Sequence, residues 1–218
     1  MTPQAGLFLS ALAFVGTHFL LSHPLRAPLV RTLGEGAFRG LYSLIAAITL
    51  GLMIYLYRVI GREPPLWLAG DALWLGASVL MWLGSILLVG SFVRNPALPG
   101  ARMPVGGPSD VFRITRHPMM WGFASWAVVH LIVVATPKAL VLDGAILFLA
   151  IAGAAGQDSK KRALMGERWH EWTAQTAFVP FTRGLASPGL VALIGGTILF
   201  FAATWAHPVP AGFWRWIG

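Results

Sequence analysis

Residues 113–130 read RITRHPMMWGFASWAVVH. Two arginines and a histidine stand before a proline, and the chain then runs apolar to a second histidine, His130. Proline suits the first turn of a helix, where no amide hydrogen is needed, so His117 falls at or beside the N-cap of a helix beginning at Pro118. A polar mouth opening onto a long apolar helix is the pattern of a membrane span.

The whole composition supports that reading. Of the 218 residues, 56% are hydrophobic and 11% are charged, far from the balance of a soluble domain. The length suits a single transmembrane domain over 1–218, and no internal repeat or low-complexity tract interrupts it. Cysteine is absent, which excludes structural disulfides, thiolate nucleophiles and Cys-ligated metal or haem. Six runs are apolar enough to cross about 30 Å of hydrocarbon at about 1.5 Å per helical residue. They lie near 5–22, 40–60, 73–93, 118–136, 138–156 and 188–206. The first lacks the basic start and cleavage-site end of an export signal, so it is expected to be a retained span. Only helices satisfy their own backbone in lipid, and the alternating polarity of a closed barrel is missing. The expectation is an all-α, six-helix transmembrane bundle.

Charge orients it. Arg26, Arg31, Arg39, Arg94, Arg102, Arg113, Arg116, Lys160, Lys161, Arg162, Arg168 and Arg183 follow spans one, three and five, leaving only Arg58, Arg62, Lys138 and Arg215 opposite. The positive-inside rule places both termini outside and the three basic connections in the cytoplasm. Topology signals and attraction to anionic headgroups account for a net charge of +8 without a nucleic-acid partner. The segment DSKKRALMGERWHEWTAQT, 158–176, is too polar to cross. Met165, Trp169 and Trp172 share one helical face, so it reads as a cytoplasmic interfacial amphipathic helix, either a surface anchor or a lid over a cofactor. The tryptophans mostly sit near span ends, as an interfacial belt does.

Conventional catalytic motifs are missing. There is no G-x-S-x-G elbow and no P-loop, and the eight acidic residues fall at span ends or in loops without a paired-carboxylate pattern. Gly51, Gly84 and Gly90 interrupt the spans as helix-packing residues do, not as the broken helices of a transporter.

The chemistry is concentrated in histidines. His18, His117 and His130 fall in or at the mouth of spans, where an ionisable group either bonds within the bundle or serves function. His18 lies about 6 Å inside the end of span one, at the depth of His117, whereas His130 is about 20 Å further along span four. Two neutral imidazoles at one depth could ligate a haem iron from opposite faces, with basic residues meeting the propionates. Equally, His18 could bond a serine, threonine or backbone carbonyl while His117 caps span four. Arg113 and Arg116 beside a helix N-terminus suit a phosphate or carboxylate, or simply reach toward headgroups.

Residues 17–46, THFLLSHPLRAPLVRTLGEGAFRGLYSLIA, together with 114–132, ITRHPMMWGFASWAVVHLI, resemble the NnrU family of bacterial membrane proteins. That family is related to the plant 15-cis-zeta-carotene isomerase, a membrane haem b protein, and its bacterial members are associated with nitrite and nitric oxide reduction. The resemblance implies a protein of the bacterial inner membrane that binds haem b, with His18 and His117 as metal ligands. Arg113, Arg116, Lys160 and Lys161 are then propionate partners, and a hydrophobic small molecule the substrate. Where the plant enzyme has a cysteine beside its histidine, Thr115 or another residue has to substitute.

A second likeness is to the isoprenylcysteine carboxyl methyltransferases, through RHPMMWG and the later KKRALMGERWHEWTAQTAFVPF. It implies an S-adenosylmethionine site near Arg116, His117 and Gly122. Here Met120 replaces that family's tyrosine, and Lys160 and Lys161 stand where it has a glutamate pair. A third reading is a non-enzymatic membrane assembly factor whose histidines are structural.

Overall fold

The computed structural model describes residues 1–98, 101 and 103–217; Arg102, counted above among the basic loop residues, lies outside them. All regular structure among these residues is helical. The helices are α1 (Pro3–Ser22), α2 (Arg26–Val59), α3 (Asp71–Gly90), α4 (Pro118–Val133), α5 (Pro137–Met165), α6 (Glu167–Gln175) and α7 (Leu190–Trp205), with 3-10 turns at Asp110–Arg113 and Gly212–Trp216. They form two compact units, Met1–Leu68 with Val134–Leu149, and Ala69–Val133 with Ala150–Gly218.

In the first unit Thr2 caps α1, its hydroxyl accepting from the Ala5 amide at 3.2 Å, and Pro3 opens the helix. α1 packs along α2, where Gly6 leaves room for the Leu56 methyls. α2 departs from expectation. Gly34, at φ 80° and ψ 159°, breaks it into pieces at 26–33 and 35–59, a backbone conformation open only to glycine. Glu35 spans the break, accepting from Arg26 Nη2 at 2.8 and 3.0 Å and from Arg39 Nε at 3.2 Å. The stretch before residue 40, read as a connection, is helical, with Arg26 and Arg39 both paired to Glu35. Asp143 is a second correction: it lies inside α5 and is buried, not at a span end or in a loop.

The second unit is built around α3, which packs against both α4 and α7. Small residues set the approach. A Cβ on Gly84 would come within 2.7 Å of Ser125 Cβ, one on Gly122 within 3.0 Å of the Gly84 carbonyl, and one on Gly196 would strike the Ile86 backbone. Trp82 Nε1 donates to Thr197 Oγ1 at 3.0 Å, joining α3 to α7. Close backbone approach of this kind replaces the hydrophobic effect where helices associate in lipid.

α1, α2, α3 and α5 are long and apolar enough to cross a membrane. α4 and α7 are apolar but have 16 residues each, about 24 Å against a hydrocarbon layer of about 30 Å. The apolar letters at 134–136 leave α4 because Pro137 disfavours a helical Thr136 and Ala135 takes a positive φ of 32°. Gly189, at φ 83°, delays α7 in the same way.

The polar segment 158–176 is not one helix. Residues 158–165 continue α5, Gly166 breaks the chain at φ 53° and ψ −125°, and α6 follows. Nor does the α6 apolar face lie open as an anchor: Trp169 and Trp172 are buried against Ile86, Leu87, Val111 and Phe112, with Met165 alongside.

Candidate functional site

Backbone and side-chain bonds fasten the approach to α4 onto the chain leaving α6. The Arg116 amide donates to the Ala177 carbonyl at 2.8 Å, while Thr115 Oγ1 and Trp121 Nε1 donate to the Phe178 carbonyl at 2.7 and 2.8 Å. Thr115 Oγ1 also accepts from the His117 amide at 3.2 Å, so this hydroxyl is held in the scaffold.

Against that scaffold Arg116 and His117 converge on Asp158. The guanidinium donates through Nη2 to Oδ2 at 2.7 Å and through Nε to Oδ2 and Oδ1 at 2.9 and 3.1 Å, and its Nη1 reaches the Thr176 carbonyl at 3.1 Å. His117 Nε2 lies 2.9 Å from Oδ1, and its Nδ1 lies 3.1 Å from Gln157 Oε1. Phe178 packs under the guanidinium at 5.3 Å and meets the imidazole edge-on at 5.2 Å. The side chains of His117, Asp158 and Arg116 are 0%, 10% and 13% exposed, so this charge network is desolvated. Asp158 follows the apolar part of α5, in QDSKKR. Burial alone would raise its carboxyl; hydrogen bonds and charge from His117 and Arg116 outweigh that and hold it well below the usual carboxylate range.

Both His117 ring nitrogens are thus engaged, and turning the Gln157 amide would only exchange which partner donates. The cavity beside them, edged by Asn95, Met119 and Met120, is about 30 Å³, room for a water or two. His117 therefore offers no bare nitrogen to a metal in this arrangement.

His18 differs. In the first unit its Nδ1 donates to the Phe14 carbonyl one turn back, at 2.6 Å, which leaves Nε2 as a lone-pair nitrogen. Nε2 has no hydrogen-bond partner among the described residues. Phe14 and Tyr42 flank the half-buried ring edge-on, with centroids at 4.4 and 5.4 Å. The alternative expectation of a bond to a backbone carbonyl is what Nδ1 makes, and the other nitrogen stays available.

The remaining candidates are dispersed. Arg113 lines an open cleft of about 520 Å³ with Gln175 and Arg183. Lys161 donates to the Pro96 carbonyl at 3.0 Å, and Lys160 is also engaged. Gly122 packs against Leu88 and Gly84 of α3. Asp158 and Gln157, the partners that organise His117, went unnoticed in the sequence; the available signal was that an Arg-His pair at a helix mouth requires a nearby acid once buried.

A family model described as NnrU protein matches residues 6–214 of the chain. No curated protein and no solved structure is matched.

Proposed function

Because the chain belongs to the NnrU family and carries helices long and apolar enough to cross a bilayer, we propose that it is a multi-pass protein of the bacterial inner membrane that binds haem b through His18. The observation that supports this most is the Nδ1 bond from His18 to the Phe14 carbonyl. Metal-ligating histidines commonly donate their second ring N–H to a carbonyl or carboxylate, which fixes the tautomer and raises the basicity of the ligating nitrogen. Phe14 and Tyr42 flank the ring edge-on and limit its orientation.

His18 fits an axial ligand; His117, with both nitrogens engaged, does not in its present bonding. His117 is read instead as a positioning residue that ties Arg116 and Asp158 to α4. Haem bound at His18 would supply one-electron exchange and a polarising iron centre. The chain's own part is to present Nε2, hold the imidazole and admit an apolar molecule from the bilayer. The isomerase-like and denitrification-linked redox roles of the family are proposed on that basis. No observation favours S-adenosylmethionine, since Arg116 and His117 are committed to Asp158 and Gly122 to α3.

The proposal includes six crossings, with α4 and α7 accommodated by flanking residues and local thinning of the bilayer, both termini outside, and α6 on the cytoplasmic side. The test is purification in detergent with haem supplementation. About one haem per chain and a Soret band support the reading. Absence of Soret absorbance after supplementation would leave the assembly-factor reading, with the histidines structural.

A further inference from the structure

The second unit contains a pair of imidazoles apart from the Asp158 network. His130 lies in the last turn of α4 and His207 two residues beyond α7, and their ring centroids are 6.0 Å apart. His130 Nδ1 faces the Trp126 carbonyl at 2.8 Å and His207 Nδ1 faces the Val209 carbonyl at 3.1 Å. A carbonyl only accepts, so each Nδ1 carries the hydrogen and each Nε2 is left as a lone-pair nitrogen. Neither Nε2 has a hydrogen-bond partner among the described residues. The Trp126 ring, 4.2 Å from His130 and tilted by 34°, steadies its imidazole.

We propose that His130 and His207 form a second metal site, which takes a late first-row divalent ion through their two Nε2 atoms. The reasoning is geometric. An ion about 2.0–2.1 Å from each Nε2 holds two ring centres roughly 5 to 6.5 Å apart, from tetrahedral to linear arrangements, and the observed separation falls in that window. Both side chains are only partly buried, so an ion held between them stays open to water or another donor. Imidazole selects zinc, copper or nickel over magnesium or calcium. No third His, Asp or Glu ligand joins the pair among the described residues, so water or an exogenous donor completes the coordination. His207 stands outside a helix and can adjust by side-chain rotation.

The probe is Zn(II), added to the full chain in detergent after chelator treatment, with bound zinc measured after gel filtration and affinity by calorimetry. One equivalent is expected for the native chain, with affinity weakened about tenfold or more in both His207→Gln and His130→Gln. His207→Gln changes a residue outside the helices, so it keeps the test valid if His130→Gln folds poorly; circular dichroism checks both. A native chain that binds no zinc, as a pair sharing only a proton or a water would, overturns the proposal. So does unchanged affinity in both variants, which would assign the zinc to His18, His23 or His170.

Discussion

Asp158 holds His117 by accepting at Oδ1 from Nε2 over 2.9 Å, and its second oxygen takes the Arg116 guanidinium at 2.7 Å. One carboxylate thus neutralises a largely buried arginine and orients a fully buried imidazole. Removing that charge leaves Arg116 desolvated and unpaired, so Asp158→Asn is expected to cost about 3–5 kcal/mol. The exposed Arg215–Asp71 pair, where the aspartate side chain is 74% exposed, sets the contrast: Asp71→Asn should cost less than about 1 kcal/mol. Thermal unfolding of both variants in detergent measures the difference, and similar losses would contradict the buried-network account.

The same pairing predicts an acid response. The Asp158 carboxyl titrates lower in the folded chain than in the unfolded one, because His117 and Arg116 favour its charged form against the effect of burial. The stability it adds is complete above the unfolded carboxylate range, near pH 4, and is lost as pH falls toward about 2. Unfolding midpoints measured downward from pH 5 should drop more steeply for the native chain than for Asp158→Asn. Parallel curves would show that another group governs acid stability.

Helix packing around α3 depends on Gly196, where any side chain meets the Ile86 backbone. Gly196→Ala should destabilise the fold by about 1–3 kcal/mol through forced separation of α3 and α7. At Gly16, where nothing lies within 4 Å, Gly16→Ala should be neutral or stabilising by up to about 1 kcal/mol, from the lower helix propensity of glycine. Denaturation monitored by tryptophan emission compares the two.

The membrane character and the helical class were legible because hydropathy and charge act through composition, which survives any detail of folding. The lengths of α4 and α7 were less legible. Apolar letters continue past Val133, yet Pro137 and the positive φ at Ala135 end the helix there, and hydropathy is blind to such stops. The polar run 158–176 misled in a related way: its periodicity located Trp169 and Trp172 on one face correctly, but a periodic apolar face does not say whether lipid or protein covers it. Here protein does. At the candidate site, the Arg116–His117 motif was visible as local sequence, whereas its acid, Asp158, is 41 residues away from His117 and on another helix. Spacing along the chain carries no trace of that contact. His18 could be singled out by its place in an apolar span, but which of its nitrogens is free follows only from the Phe14 bond.

The availability of His18 Nε2 to iron is tested most directly by the visible spectrum of haem-supplemented His18→Ala beside the native chain, with and without added imidazole. The expected result is a Soret band in the native chain, its loss in the variant, and its return when imidazole fills the vacated position. An intact Soret band in His18→Ala without imidazole would show that the iron is held elsewhere.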